Sequence, residues 1–79
     1  MKILLINNKK AKLAPLTPVD VKNLTSNKIE ISFYKGVGAY AGYADNEYIS
    51  SGAKRLTKIN QEIIKNFDII LSREALKSN

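Results

Sequence analysis

The chain has 79 residues, of which 44% are apolar and 25% are charged, so its composition is that of a folded domain and not of a disordered segment. A chain of this length forms one domain, and its folding buries only roughly 60% of the surface that the unfolded chain exposes. The sequence contains neither cysteine nor histidine. This excludes disulfide bonds, thiol nucleophiles, the usual zinc sites and the most common general base. Residues 1–79 are therefore predicted to form a single small domain.

The formal net charge is +6, from 13 lysines and arginines against 7 aspartates and glutamates. Positive charge of this size attracts nucleic acid or an acidic protein. Apart from Lys9, Lys10 and Lys12, however, the basic residues are scattered singly, which is typical of a solvated surface. The apolar run Ile3–Ile6 is far too short for a signal peptide or a membrane span. We therefore expect a cytoplasmic protein without a membrane partner.

The first elements are a buried strand and a capped helix. The run Ile3–Ile6 is apolar without alternation, which predicts a central parallel strand buried on both faces. Thr17 is a good N-cap and Pro18 suits the first helical position, so a helix is predicted to begin here. Val21 and Leu24 lie three residues apart on the helix face that would pack against the sheet.

The middle of the chain predicts a half-exposed strand, a loop and a short helix. Lys28–Tyr34 alternates between apolar and polar residues, which is typical of a strand at or near a sheet edge. The glycine-rich stretch Gly36–Ala44 is predicted to be a loop. A short helix is expected over Asp45–Ser51, with its first residue as the N-cap and with Tyr48 and Ile49 as its anchors.

The last elements complete an alternating order of strands and helices. Arg55–Leu56 is a brief strand candidate, and Phe67–Leu71 is a second continuous apolar strand. Between them, Thr57 or Asn60 is expected to cap a helix; its apolar residues are Ile59, Ile63 and Ile64. The alternation predicts an α/β fold, namely a partial Rossmann-like (flavodoxin-like) parallel sheet with crossover helices that amounts to about half of a doubly wound domain.

Two features of the loop have both a functional and a structural interpretation. The glycines of Gly36–Gly42 could cradle a phosphate, but the spacing is G-x-G-x-x-x-G with Ala41 at the position of the third glycine, so a tight turn is favoured. The tyrosines could form a base-stacking platform with Lys35 beside it, but filling of the space under the loop is favoured; they are Tyr34, Tyr40, Tyr43 and Tyr48. The carboxylates show no paired spacing, so neither a metal site nor an acid/base pair is expected.

Three stretches together resemble a known family. Leu16–Pro18, Lys35–Ala53 and Asp68–Leu71 are similar, in order and spacing, to the start of alanine dehydrogenases and of the NAD(P) transhydrogenase α subunit. The resemblance implies the first part of an N-terminal, substrate-side domain that faces a separate dinucleotide-binding domain. It also implies that this chain binds no cofactor and has no catalytic residue of its own, and that NAD(P) enters only if a second domain or subunit is supplied.

The sequence departs from the family pattern at two substrate-binding positions. The arginine expected five residues before the proline of the Leu-Thr-Pro motif is Leu13 here, with Lys12 next to it. The lysine expected after the last strand is Glu74, with Arg73 next to it, and an acidic residue would repel a substrate carboxylate. Lys12 and Arg73 are therefore the candidate substrate-binding residues, and each requires a one-residue shift of its loop to take that role.

Three hypotheses about function follow. The leading one is an N-terminal domain, or a fragment of one, that is not catalytic alone and associates with itself or with a larger protein subunit. The second is a basic binding module for an anionic partner such as RNA or an acidic protein. The third is one piece of a split NAD(P)-linked oxidoreductase.

Overall fold

The computed structural model describes residues 1–7 and 16–73, which form a four-stranded parallel sheet with helices between the strands. A short 3₁₀ turn, Ala39–Ala41, lies in the loop after the second strand. The strands are β1 (Lys2–Asn7), β2 (Glu30–Tyr34), β3 (Lys54–Leu56) and β4 (Ile69–Arg73), and the helices are α1 (Pro18–Ser26), α2 (Asp45–Ser50) and α3 (Gln61–Ile64).

The strand order across the sheet is β3-β2-β1-β4. All neighbouring strands are parallel, with Ile3 in register with Ile31 on one side and with Ile69 on the other. This is the order of the first four strands of a Rossmann sheet, whereas a flavodoxin sheet places its third strand next to its first. The predicted α/β, partial Rossmann-like fold is confirmed.

The two strands in the interior of the sheet match their sequence patterns. In β1, Ile3 is 6% exposed and both Leu4 and Leu5 are fully buried, so β1 is covered on both faces as predicted. In β2, Ile31 and Phe33 are buried, while the alternate residues Glu30, Ser32 and Tyr34 are more exposed. Because β3 lies outside β2, the predicted near-edge position of β2 is also confirmed.

The main core lies between one face of the sheet and the helices α1 and α2. Val21 of α1 and Tyr48 of α2 are fully buried there, and Leu24 packs against the same cluster, as the helix pattern predicts. The sheet and loop residues of the cluster are Ile3, Leu5, Ile31, Phe33, Val37 and Ala53.

Helix α3 lies on the opposite face of the sheet, where Ile63 and Phe67 border a cleft with Ser32 of β2. Of the two caps predicted for this helix, Asn60 is the one formed, since its Oδ1 accepts a hydrogen bond from the Ile63 N–H at 2.9 Å. Ile59 precedes the cap and is therefore not part of the helix. Helices on both faces of a parallel sheet are the arrangement of a doubly wound fold.

Two predictions for α2 are wrong. The N-cap is Ala44, and Asp45 is the first helical residue. The Glu47 carboxylate accepts the Ala44 N–H at 2.8 Å, so an acidic residue three positions after the cap satisfies the helix start, which frees Asp45 for other contacts. Ile49 is 45% exposed and does not anchor the helix. Successive residues of a helix point about 100° apart, so burial of Tyr48 turns its neighbour toward solvent.

Strand β4 begins later and lies further from the core than its apolar sequence indicates. The Asp68 N–H donates to the Lys2 carbonyl at 2.8 Å and the Asp68 carboxylate accepts the Lys2 N–H at 2.8 Å, which fixes the start of the β1–β4 pairing. Ile69 and Ile70 remain 38% and 37% exposed. Among residues 1–7 and 16–73, no strand pairs with the outer edge of β4.

Candidate functional site at the carboxyl edge of the sheet

The strand order marks one crevice as the expected ligand site of this fold. From β1 the chain passes through α1 to β2 on one side, whereas β4, on the other side of β1, is reached through α3. In open α/β sheets, ligands bind outside the carboxyl ends of the strands at the point where the order reverses. Here that point lies between the carboxyl ends of β1 and β4, where Asn7 is in register with Arg73.

In the chain, one candidate substrate-binding residue follows β1 and the other ends β4. Arg73 is the last residue of β4, and its backbone lies at the carboxyl edge of the sheet. Lys12 and Leu13 follow β1, and Glu74 follows β4, but all three lie outside the described residues, as does the Arg73 side chain. The proposed binding roles of Lys12 and Arg73 therefore stay predictions.

The glycine loop follows β2 at the same edge, and most of its backbone N–H groups donate to acceptors within the protein. The Gly36 N–H donates to Asp45 Oδ1 at 2.9 Å. Further along, the Ala41 N–H and the Tyr43 N–H both donate to the Gly38 carbonyl, at 3.0 and 2.9 Å. A phosphate cradle needs several N–H groups pointing at one ligand. These internal contacts are instead those of a tight turn.

Gly38 is required by close packing against an aromatic ring. A Cβ at this position would lie 2.6 Å from Cε2 of Tyr48 and 2.9 Å from Cβ of Tyr43. Gly36 and Gly42 have open space around them, and their φ values of 77° and 89° are the reason for glycine there. The loop therefore uses its glycines for two different purposes, neither of which is ligand binding.

Tyr48 is the centre of an aromatic cluster beneath the loop. Its ring lies 5.3 Å from that of Phe33 and 6.3 Å, edge to face, from that of Tyr43. Tyr48 is fully buried, so it cannot present a face to a nucleic-acid base. For Tyr48 and Tyr43 the space-filling interpretation is correct, while Tyr34 is half-buried and the Tyr40 side chain lies outside the described part of the chain.

The Tyr48 hydroxyl also holds the start of the Leu-Thr-Pro motif. It donates to the Leu16 carbonyl at 2.8 Å. Burial raises the pKa of Tyr48 from 10.0 to about 12, with a further contribution from its neighbours Tyr43 and Glu47. The hydroxyl therefore stays protonated and keeps its donor role at physiological pH. Sequence reasoning identified Tyr48 as a helix anchor but missed this bond, because nothing in the local pattern indicates a partner so distant in the chain.

A capping box fixes the next residues of the motif. The Thr17 hydroxyl accepts the Asp20 N–H at 3.2 Å, and Asp20 Oδ2 accepts the Thr17 N–H at 3.3 Å. Pro18 stands at the first helical position, as predicted. Together with the Tyr48 bond, this fixes the position at which the chain enters α1.

Asp45 connects the glycine loop to β3. While its Oδ1 accepts the Gly36 N–H, its Oδ2 forms an ion pair with Arg55 Nε at 2.8 Å. Both carboxylate oxygens are therefore occupied within the protein. Among the described residues, no three acidic, histidine or cysteine side chains are grouped so that they could hold a metal ion.

A cleft of about 450 Å³ lies elsewhere, beside α3 on the second face of the sheet. Lys2 and Glu30, which lie 3.9 Å apart, border it at the amino ends of β1 and β2. Its apolar lining includes Leu56, Ile63 and Phe67. Because this fold binds ligands at the carboxyl ends of its strands, the cleft is distinct from the expected site.

The four-stranded parallel sheet with helices on both faces has the architecture of a partial, Rossmann-like doubly wound α/β fold. No family model matches the sequence, and no curated protein matches it. Among solved structures, the chain is similar to an L-alanine dehydrogenase, with a TM-score of 0.78 and 20% identity over 90% of this chain and 20% of that one. It is also similar to a transhydrogenase from Sinorhizobium meliloti, with a TM-score of 0.75 and 21% identity over 89% of this chain and 21% of that one.

These comparisons confirm, at the level of fold, the resemblance that the three sequence stretches indicate. The chain spans about one fifth of the length of either solved structure. No helix within residues 1–7 and 16–73 is long and apolar enough to cross a membrane.

Proposed function

We propose that the chain is an N-terminal, substrate-side domain of the alanine dehydrogenase and transhydrogenase type that is not catalytic alone and acts by association with itself or with a larger protein. The observation that carries this proposal is the outer edge of β4. Ile69 and Ile70 are each more than one third exposed on a strand that sequence pattern would place inside a sheet. An unpaired apolar edge favours addition of a further strand.

The polar side chains near the glycine loop and the helix starts have structural roles, which supports a domain that is not catalytic alone. Tyr48, Asp45 and Thr17 are each engaged in contacts that hold the loop and the helix starts in place. In the family, two cationic side chains would bind a substrate carboxylate. At the two corresponding positions this sequence has Leu13 and Glu74 instead. We therefore expect no alanine-dependent reduction of NAD by this chain alone.

Light scattering coupled to size-exclusion chromatography tests the association. A complex larger than one chain at micromolar concentration is the expected result, and a folded monomer with no partner would contradict it. Alanine dehydrogenase and transhydrogenase assays on the same sample test the second half of the proposal, since measurable turnover by the purified chain would show that it is catalytic alone.

A second candidate is one piece of a split NAD(P)-linked oxidoreductase. The observation that favours it is the retained crevice between the carboxyl ends of β1 and β4, at the position where this fold binds ligands. Mixing the chain with a separately produced dinucleotide-binding domain of an alanine dehydrogenase or a transhydrogenase tests this. Activity in the mixture but in neither component supports it, and inactivity in every mixture removes it.

A further inference from the structure

The residues of β2 alternate between the two faces of the sheet. Ile31 and Phe33 belong to the core beneath α1 and α2, so Glu30, Ser32 and Tyr34 point to the opposite face, on which α3 lies. All three are polar, and none of them is fully buried. A parallel strand that is covered by apolar layers on both faces carries apolar residues on both. Over β2, the face that carries α3 is therefore a polar surface.

Charged residues of the neighbouring strands extend this polar surface. Lys2 of β1 is in register with Glu30, and Lys54 of β3 is in register with Ser32, so each pair lies on one face. Lys2 Nζ lies 3.9 Å from a carboxylate oxygen of Glu30, and the two side chains are 55% and 69% exposed. An apolar segment laid over them would remove both charges from water at a large cost in free energy. This part of the face is therefore suited to contact with water, whichever further elements pack beside it.

The cleft beside α3 lies on this polar surface and adds an apolar wall to it. Leu56, Ile63 and Phe67 form the wall, and all three are half-buried. The volume of about 450 Å³ falls within the range of roughly 300–1,000 Å³ that is typical of small-molecule sites. Such sites are lined by apolar groups with a few polar groups that select and orient the ligand. The shape and the lining of the cleft are thus those of a small-molecule site.

The cleft carries one unbalanced positive charge. Lys2 is paired with Glu30, whereas Lys54 forms no ion pair with any other described residue. The hydroxyl of Ser32, beside Lys54, likewise has no hydrogen-bond partner within residues 1–7 and 16–73. An ammonium group and a hydroxyl side by side can donate to the two oxygens of one carboxylate. The charge of the cleft therefore selects an anion, and its wall selects an apolar tail.

We propose that this cleft binds a small organic carboxylate with an aliphatic or aromatic tail. The carboxylate contacts Lys54 and Ser32, and the tail packs against the wall of Leu56, Ile63 and Phe67. The site is separate from the crevice between the carboxyl ends of β1 and β4. It is also independent of the proposed association, since no residue of β4 lines the cleft.

Three probes with the same tail separate the effect of charge from that of the tail. They are hexanoate, hexylammonium and hexan-1-ol, each titrated against the protein and followed by NMR of the backbone amides. Hexanoate is expected to shift the resonances of Ser32, Lys54 and Ile63, with a dissociation constant about fivefold lower than that of either other probe. Equal or tighter binding of hexylammonium or hexan-1-ol would overturn the proposal. Shifts confined to residues outside the cleft, or no saturable binding of hexanoate, would overturn it as well.

Charge reversal tests the role of Lys54. Lys54→Glu is expected to weaken hexanoate binding by about fivefold or more, because it replaces an attractive charge in the cleft with a repulsive one. The matched control is Lys22→Glu, which makes the same change in net charge at an exposed position of α1. Lys22→Glu should keep the affinity within about twofold, because salt screens charges outside the cleft. Equal losses in the two variants would show that only the overall positive charge attracts hexanoate, and the proposal would be wrong.

Removal of the Ser32 hydroxyl gives a second readout that leaves the net charge unchanged. Ser32→Ala is expected to weaken hexanoate binding by about threefold, through loss of one hydrogen bond, and to leave hexan-1-ol binding unchanged. Ser50→Ala removes an exposed hydroxyl of α2 and should change neither affinity. Equal hexanoate affinities in the two alanine variants would overturn the proposed position of the carboxylate. Since the substitution is small, this series still decides if Lys54→Glu does not fold.

Discussion

The hydroxyl of Tyr48 in α2 donates a hydrogen bond of 2.8 Å to the carbonyl of Leu16, which lies 32 positions earlier in the chain. This bond joins two of the three stretches on which the family resemblance is based. One is the Leu-Thr-Pro motif at the start of α1, and the other contains the glycine loop and α2. A residue that the sequence pattern presents as a packing anchor therefore also fixes the chain at the start of α1.

Removal of the Tyr48 hydroxyl tests the bond directly. Tyr48→Phe keeps the ring contacts with Phe33 and Tyr43 but leaves the Leu16 carbonyl without this donor, so we expect the free energy of unfolding to fall by about 1–2 kcal/mol. Urea denaturation measures it. The control is Tyr34→Phe, in a half-buried residue whose hydroxyl makes no hydrogen bond within the described residues. Equal losses from the two variants would show that the Leu16 bond contributes nothing.

The stability of the protein at alkaline pH provides a second test of the role of the Tyr48 hydroxyl. Its pKa is raised from 10.0 to about 12 in the folded protein. A raised pKa means that the protonated group stabilises the fold fully below the unfolded value, and that this contribution is lost as pH rises through the folded value. The wild type should therefore lose stability relative to Tyr48→Phe between pH 10 and 12. The other tyrosines and the lysines titrate in both proteins and cancel in the comparison. A difference that stays constant over this range would contradict the raised pKa.

The two kinds of glycine in the loop should respond differently to substitution. Gly38→Ala forces a methyl group against the buried ring of Tyr48, and we expect a loss of about 1–3 kcal/mol from overpacking. Gly42→Ala has room for its methyl group but must adopt a φ of 89°, which costs about 1–2 kcal/mol. Asparagine separates the causes, since it tolerates positive φ but is larger than alanine. Denaturant unfolding should show Gly42→Asn more stable than Gly42→Ala and Gly38→Asn less stable than Gly38→Ala.

Lys28, just after the end of α1, has a backbone conformation that glycine would adopt with less strain. Lys28 has a φ of 67° and follows the C-cap Asn27. The Lys28 N–H donates to the Thr25 carbonyl and the Ile29 N–H to the Leu24 carbonyl, which is the pattern of a Schellman motif. The backbone strain that glycine relieves at this positive φ is larger than the conformational entropy that glycine adds to the unfolded chain. Lys28→Gly should therefore raise the melting temperature and stabilise the protein by about 0.5–1 kcal/mol. Lys28→Ala keeps the strained conformation and should give no gain.

Much of the fold follows from local sequence pattern. The apolar run of β1, the alternation of β2 and the Thr17–Pro18 helix start each indicate one structure because burial and capping act over a few residues. The same patterns misplace the start of α2. Asp45 and Glu47 are both suitable acidic residues for a helix N-terminus, and the choice between them depends on Gly36 and Arg55, which only the folded chain brings to Asp45.

The chain sequence by itself determines the class of fold and the order of its elements, because these depend on residue identity and local periodicity. It also places Leu13 and Glu74 where the family resemblance predicts cations. The tertiary structure alone decides that β4 lies outermost in the sheet formed by residues 1–7 and 16–73, that Tyr48 reaches Leu16, and that the loop glycines serve packing and turn geometry. Strand order and long-range hydrogen bonds depend on which segments meet across the sheet, and residues distant in the chain carry no local pattern that records this.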